Sequence, residues 1–248
     1  MVYSVAMNRS PRKEREWKER EARILEVARR LLREHGYLGL KMDEIASEME
    51  YSKGTIYQHF SSKEDVIMEL AVQTIEKRLE LMARASEYRG RPRERVAALG
   101  VAVELFVRRF PDYFRVEQII RADSIRDKTA PERQERLISC ELRCMGIVTG
   151  IVRDGIATGD LTLPEFLTPE QLTFGMWSLS FGGSSIITTG HLGELGVEKP
   201  FEAIINNIQM LLDGLNWKPL SHEMDYPKTM ERIAEELYSD LLADVPSF

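Results

Sequence analysis

The residues with the clearest chemical purpose in this sequence lie between Ser52 and Lys63, where Ser52, Lys53, Gly54, Thr55, Tyr57, Gln58, His59 and Lys63 follow one another. At roughly 100° per residue, Ile56 and Phe60 fall on one side of a helix while Gly54, Thr55 and Gln58 fall on the opposite side. A small polar face of this kind suits the major groove of DNA. Short side chains let the backbone approach, and the Gln58 carboxamide can pair with a base edge. Lys53, Tyr57 and His59 flank that face with groups suited to phosphate oxygens, and Lys63 opens the next helix, where free backbone N–H groups also favour a phosphate. No comparable pattern supports catalysis: nucleophile-elbow, paired-carboxylate, dinucleotide and zinc spacings are missing, and His35, His59, His191 and His222 are scattered. A non-enzymatic binding protein without a cofactor is expected. Cys140 and Cys144, four apart in a helical pattern, are small buried hydrophobes or a redox or metal pair; no His or further Cys lies near in sequence to complete a site.

The elements that must carry these residues read as helices. Ile24, Leu25, Ala28, Leu31 and Leu32 recur at helical spacing, and His35-Gly36 supplies a stop. The alternating charges from Arg12 to Glu21 extend that helix as a solvated arm, with a DNA-touching tail as the alternative. Second and third helices are expected over Met42 to Met49 and, with Ser52 as N-cap, Lys53 to Phe60. Ser61-Ser62-Lys63-Glu64 matches a capping box for a long fourth helix running towards Arg89-Gly90, and Arg91-Pro92 marks a joint. Beyond it, helical patterns cover Val96 to Phe110, Tyr113 to Arg121, Pro131 to Ile156, Thr168 to Thr189, Phe201 to Leu215 and Lys228 to Ala243, with Lys218 to Pro227 as a hinge-like connection. Thr168-Pro169-Glu170-Gln171 is an unusually complete helix start. No strand pattern and no internal repeat appear.

Charge distribution agrees with this division. The net charge of −6 argues against a nucleic-acid binder, but the first 63 residues carry 13 Lys+Arg against 10 Asp+Glu and the remainder 21 against 30. The head tolerates an anionic partner; the body does not. A hydrophobic content of 43% over 248 residues is enough for a proper core. The longest uncharged stretch, Gln171 to Gly193, carries too many Ser, Thr and Gly residues for a membrane span and reads as a buried helix. With no apolar N-terminal run resembling a signal peptide, the expected location is cytoplasmic, with no membrane partner.

Gly36-Tyr37, Asp43-Glu44-Ile45-Ala46, Ser52 to Phe60 and Ser62-Lys63-Glu64, in this order and spacing, resemble the N-terminal domain of the TetR family of bacterial transcriptional regulators. The resemblance spans about residues 18–78, with the helix-turn-helix at 41–60. It implies helix one as support, helix two across the DNA backbone, helix three in the groove, and Tyr57 and Lys63 on phosphates. Two positions depart from the pattern. Lys41 stands where Ser or Thr usually opens helix two, which removes a side-chain cap at a cost of roughly 1 kcal/mol and offers a phosphate contact instead. Glu50 stands where the turn usually has Gly, so strain and an adverse charge are expected there.

The fold class that follows is all-α: an N-terminal three-helix helix-turn-helix DNA-binding domain (18–78) and a C-terminal helical ligand-binding and dimerisation domain (79–248). The resemblance implies a ligand cavity and a homodimer held by a four-helix bundle. Sequence pattern places that bundle on Thr168 to Thr189, uncharged after Glu170 and containing Gly175, Ser178, Gly182 and Gly183 for close approach, and on the heptad-like Phe201 to Leu215. Phe106, Phe110, Tyr113, Phe114, Met145, Phe174, Trp177 and Phe181 are the candidate pocket lining. Gly146, Gly150, Gly155 and Gly159 lack the Gly-Lys-Ser/Thr of a phosphate loop and read as packing or bending positions. The expected function is a ligand-responsive repressor that binds a palindromic operator in double-stranded DNA as a homodimer; the rival is an architectural DNA binder with no effector.

Overall fold

The computed structural model describes residues 10–121, 125, 128–188 and 192–242. Thr189 and Ala243, the expected last residues of two helices, and His191 lie outside the described residues. Among the described residues there are ten α-helices and no strand: α1 (Pro11–Gly39), α2 (Met42–Glu48), α3 (Lys53–His59), α4 (Lys63–Ser86), α5 (Pro92–Arg109), α6 (Pro111–Ile120), α7 (Pro131–Ala157), α8 (Pro169–Ile187), α9 (Pro200–Gly214) and α10 (Tyr226–Leu242). The chain forms two compact units, Met1–Val72 with Ile119–Glu135 and Gln73–Gln118 with Arg136–Phe248. Sequence reading places its boundary after residue 78; along the chain the second unit takes residues 73–118 and the first resumes at Ile119.

In the first unit the apolar stripe of α1 is buried as its spacing requires, with Ile24, Leu25, Ala28, Leu31 and Leu32 all nearly inaccessible. Helical geometry breaks at Gly36 (φ 68°, ψ 179°), the residue that tolerates it, and one further turn reaches Gly39. Lys41 opens α2 without a side-chain cap, as its type dictates, while Asp43 and Glu44 in the first turn offset the helix dipole. The α2 C-terminus closes as a Schellman turn, the Tyr51 amide donating to the Ala46 carbonyl and the Glu50 amide to that of Ser47. Glu50 occupies its left-handed position at φ 55°. Ahead of α4 the cap lies one residue later than expected: Ser62 Oγ accepts from the Asp65 amide at 3.1 Å, and Asp65 accepts from the Ser61 amide at 3.1 Å. Glu64 instead accepts the Tyr37 hydroxyl at 3.1 Å.

In the second unit α10 packs on α5 and α9 packs on α8. Glycine makes the second contact possible: a Cβ on Gly183 would lie 2.5 Å from Ile204, whereas Gly175 and Gly182 face open space. Gly155 serves the same purpose under the fully buried Trp217, and Gly159 (φ 76°) ends α7; Gly146 and Gly150 meet nothing. Arg93 is buried completely, donating to Gln209 Oε1 at 2.8 Å, to Asp213 at 2.6 Å and to the Trp217 carbonyl. The connection from Lys218 to Pro227 is not a hinge. Its backbone is tied down by Glu223 accepting from the Leu220 amide at 2.7 Å, Asp213 accepting from the Ser221 amide at 3.0 Å and Tyr226 donating to the Pro219 carbonyl at 3.0 Å. The start signal of α8 is realised in full, Thr168 and Gln171 capping each other's amides at 3.2 and 2.9 Å. No described helix is long and apolar enough to cross a membrane.

Candidate nucleic-acid interface

α3 has only seven residues and depends on its surroundings for its shape. Ser52 starts it, accepting the Thr55 amide at 3.1 Å, with its hydroxyl 2.9 Å from that of Thr55. Ile56 and Phe60 are completely buried, each contributing about 1.5–3 kcal/mol of apolar burial. Turned the other way are Ser52, Lys53, Gly54, Tyr57 and Gln58, all exposed, with Thr55 half-buried at the edge. Gly54 is informative because nothing inside the protein needs it: a Cβ there would meet only Ser52 Oγ, at 3.8 Å.

The flanking cations differ in readiness. Lys53 pairs with Asp43 of α2 at 2.5 Å, both side chains being more than half exposed. Lys41 is exposed at the start of α2. Lys63 is half-buried: its amino group donates to the Tyr37 carbonyl at 3.3 Å and lies 4.4 Å from the Tyr37 ring centroid. Burial, followed by the Glu64 carboxylate, raises the Tyr37 phenol above its ordinary pKa, so it stays a neutral donor.

His59 corrects the sequence reading. It was expected beside the groove, yet it is buried, its ring stacked on Trp17 with centroids 3.6 Å apart. Three residues after Ile56, it belongs to the inward face. Trp17 and Arg133 are neighbours of α3 that local pattern does not reveal. Arg133 donates to Asp65 at 2.8 Å, to Glu69 and Glu21 at 3.1 Å, and to the His59 carbonyl at 3.3 Å. Deleting this cation from among three carboxylates would cost about 3–5 kcal/mol. The charged stretch Arg12 to Glu21 is therefore helical, but through Trp17 and Glu21 one side of it is in contact.

The two short helices α2 and α3, with α1 and the start of α4 around them, define a helix-turn-helix domain. Residues 24–70 match the family model of bacterial regulatory proteins, tetR family, so this part of the chain is similar to that family's DNA-binding domain. Over 64 residues, 26% of this chain, it is 38% identical to the HTH-type transcriptional repressor AcnR of Corynebacterium diphtheriae. The curated relatives are matched over only 29–34% of their own length. Solved structures extend the likeness of fold to about three quarters of the chain. A TetR/AcrR-family transcriptional regulator from Thermobifida fusca is 26% identical, with a TM-score of 0.54 over 76% of this chain and 97% of that one. The transcriptional regulator FadR from Bacillus subtilis, solved in complex with stearoyl-CoA, is 19% identical with a TM-score of 0.59, covering 77% and 96%.

In the second unit the aromatic residues singled out from sequence fall into two groups. Phe114, Phe181, Trp177 and Phe174 form a continuous run with successive centroids 5.9 Å apart. Phe106, Phe110 and Tyr113 form another, at 6.3 and 5.8 Å. Met145 is half-buried. Phe174 does not fit an interior lining, being 58% exposed on α8. Charge enters here unannounced by sequence pattern: Arg78 pairs with the fully buried Glu117, its guanidinium 4.9 Å from the Phe106 centroid. Cys140 and Cys144 are both buried and free, and burial pushes the Cys144 thiol up to about 11. Among the described residues no cluster of His, Cys, Asp or Glu could hold a metal.

Proposed function

We propose that this chain is a transcriptional repressor that binds a palindromic operator as a homodimer and releases it when a small apolar molecule enters the second unit. One observation carries the DNA reading: α3 presents Gly54, Tyr57 and Gln58 outward, and the glycine has no internal reason to be there. Tyr57, Lys53, Lys41 and Lys63 supply phosphate contacts and Gln58 a base contact.

Dimer formation is supported by the uncovered apolar residues of α8 and α9. Phe174 (58%), Leu179 (41%), Ile186 (54%) and Met210 (71%) stand exposed, and α8 carries no charge after Glu170. A second copy would cover them. Two recognition helices would then address half-sites about 34–36 Å apart, or a multiple of that. The aromatic runs are the proposed effector site, with Phe174 reassigned to the dimer face. α4, which begins in the first unit and ends in the second, is the covalent route for the effect. Operator and effector must then weaken each other by the same factor.

Selection from a random duplex pool tests the proposal. It should return an inverted repeat whose half-sites obey that spacing. Recovery of unrelated sequences at the frequency of the starting pool would reject it.

A further inference from the structure

We infer that Trp17 and Arg133 are positioning residues for the recognition helix, clamping its C-terminal end from outside the helix-turn-helix. This rests on the DNA-binding reading of α3.

The start of α3 is held locally, by the Ser52 cap and the Lys53–Asp43 pair. At its end the capping residue Phe60 donates its amide to the Ile56 carbonyl at 3.0 Å. Beyond that backbone cap, Trp17 lies on the His59 ring, nearly parallel at 28°. Arg133 bonds the His59 carbonyl at 3.3 Å, and its guanidinium sits 4.8 Å from the Phe60 centroid. Glu21, one turn beyond Trp17 on α1, accepts from Arg133 at 3.1 Å, so one stretch of α1 supplies a ring and an anchor for the arginine. Asp65 and Glu69 on α4 hold the other nitrogens. A guanidinium is suited to this: its planar fork reaches several acceptors at once while its face covers a ring. An ammonium supplies the charge without that geometry.

Arg133→Lys therefore separates charge from position, and Trp17→Ala removes the other jaw without touching the ion cluster. In the full chain, hydrogen exchange of the amides at 56–60 should rise about tenfold in each variant while α5 and α9 stay unchanged. The affinity ratio for a duplex selected by the wild-type chain over a scrambled one should fall by about tenfold. A rise shared by every helix would be general destabilisation and would overturn the clamp. Unchanged exchange with an intact duplex preference would overturn the clamp and leave the DNA reading standing. If exchange in α3 responds while the wild-type chain prefers no duplex, the clamp holds α3 for some other purpose, and its role in DNA recognition is overturned along with the DNA reading.

Discussion

Gly54 is the residue at which folding and function pull apart most plainly. A glycine within a helix costs up to about 1 kcal/mol relative to alanine, and the protein leaves room for a methyl group, Ser52 Oγ at 3.8 Å being the nearest atom. Gly54→Ala should accordingly raise the melting temperature slightly while weakening duplex binding by about tenfold or more, because the added Cβ stands where DNA must approach. Thermal unfolding and fluorescence anisotropy on the same preparation decide it; unchanged affinity would remove Gly54 from the interface. Cys144 gives a prediction of a different kind. Burial raises its thiol from 9.0 to about 11, so the folded chain keeps the proton to higher pH than the unfolded chain does. Stability linked to this group is complete below pH 9 and is lost as pH rises from 9 to 11. Iodoacetamide should label Cys144 slowly at pH 8 in the native chain and rapidly in denaturant; equal rates would contradict its burial.

At the level of elements, the turn between α2 and α3 carries an avoidable strain. A non-glycine residue in the left-handed region costs about 1–2 kcal/mol, and Glu50 sits there at φ 55°. Glu50→Gly gives back part of that gain through a more flexible unfolded chain, for a net stabilisation of roughly 0.5–1 kcal/mol. It also removes an exposed negative charge near the proposed phosphate path, so duplex affinity should rise most at low salt. Chemical denaturation and binding at two salt concentrations check both halves; a lower stability would refute the strain. This strain was readable only through the family resemblance, in which the turn usually has Gly where Glu50 stands. The α1 stripe, the Ser52 cap and the inward pair Ile56 and Phe60 were readable directly, since helical period and capping are local. His59 was misread, although its spacing from Ile56 places it inward, because a histidine beside an apolar face looks like a phosphate ligand until Trp17 is seen to cover it. Arg133 was invisible: its partners lie between 64 and 112 positions away, and no periodicity links them. The tied connection from Lys218 to Pro227 escaped for a different reason: its bonds span only three to eight positions, but its polar residues read as loop until Asp213 and Glu223 are seen to bond its amides.

For the molecule as a whole, the account requires a dimer through α8 and α9. Replacing Ile186 and Met210 together by Asp places charge on the surface a second copy must cover. Light scattering at micromolar concentration should report twice the 28.6 kDa chain mass for the wild type and the single mass for the variant. A wild-type monomer would remove the bundle, and with it the paired half-sites.

The outward face of α3 is the claim on which everything else depends, and Gln58 tests it most directly. Binding-site selection with the wild-type chain, Gln58→Ala and Tyr57→Ala should separate base reading from phosphate contact. Gln58→Ala should lose preference at one base pair in each half-site, worth about 1–3 kcal/mol of discrimination. Tyr57→Ala should weaken selected and scrambled duplexes alike and leave the preferred sequence unchanged. A Gln58→Ala chain that selects the same sequence as the wild type with the same discrimination would contradict the assignment of this face to DNA.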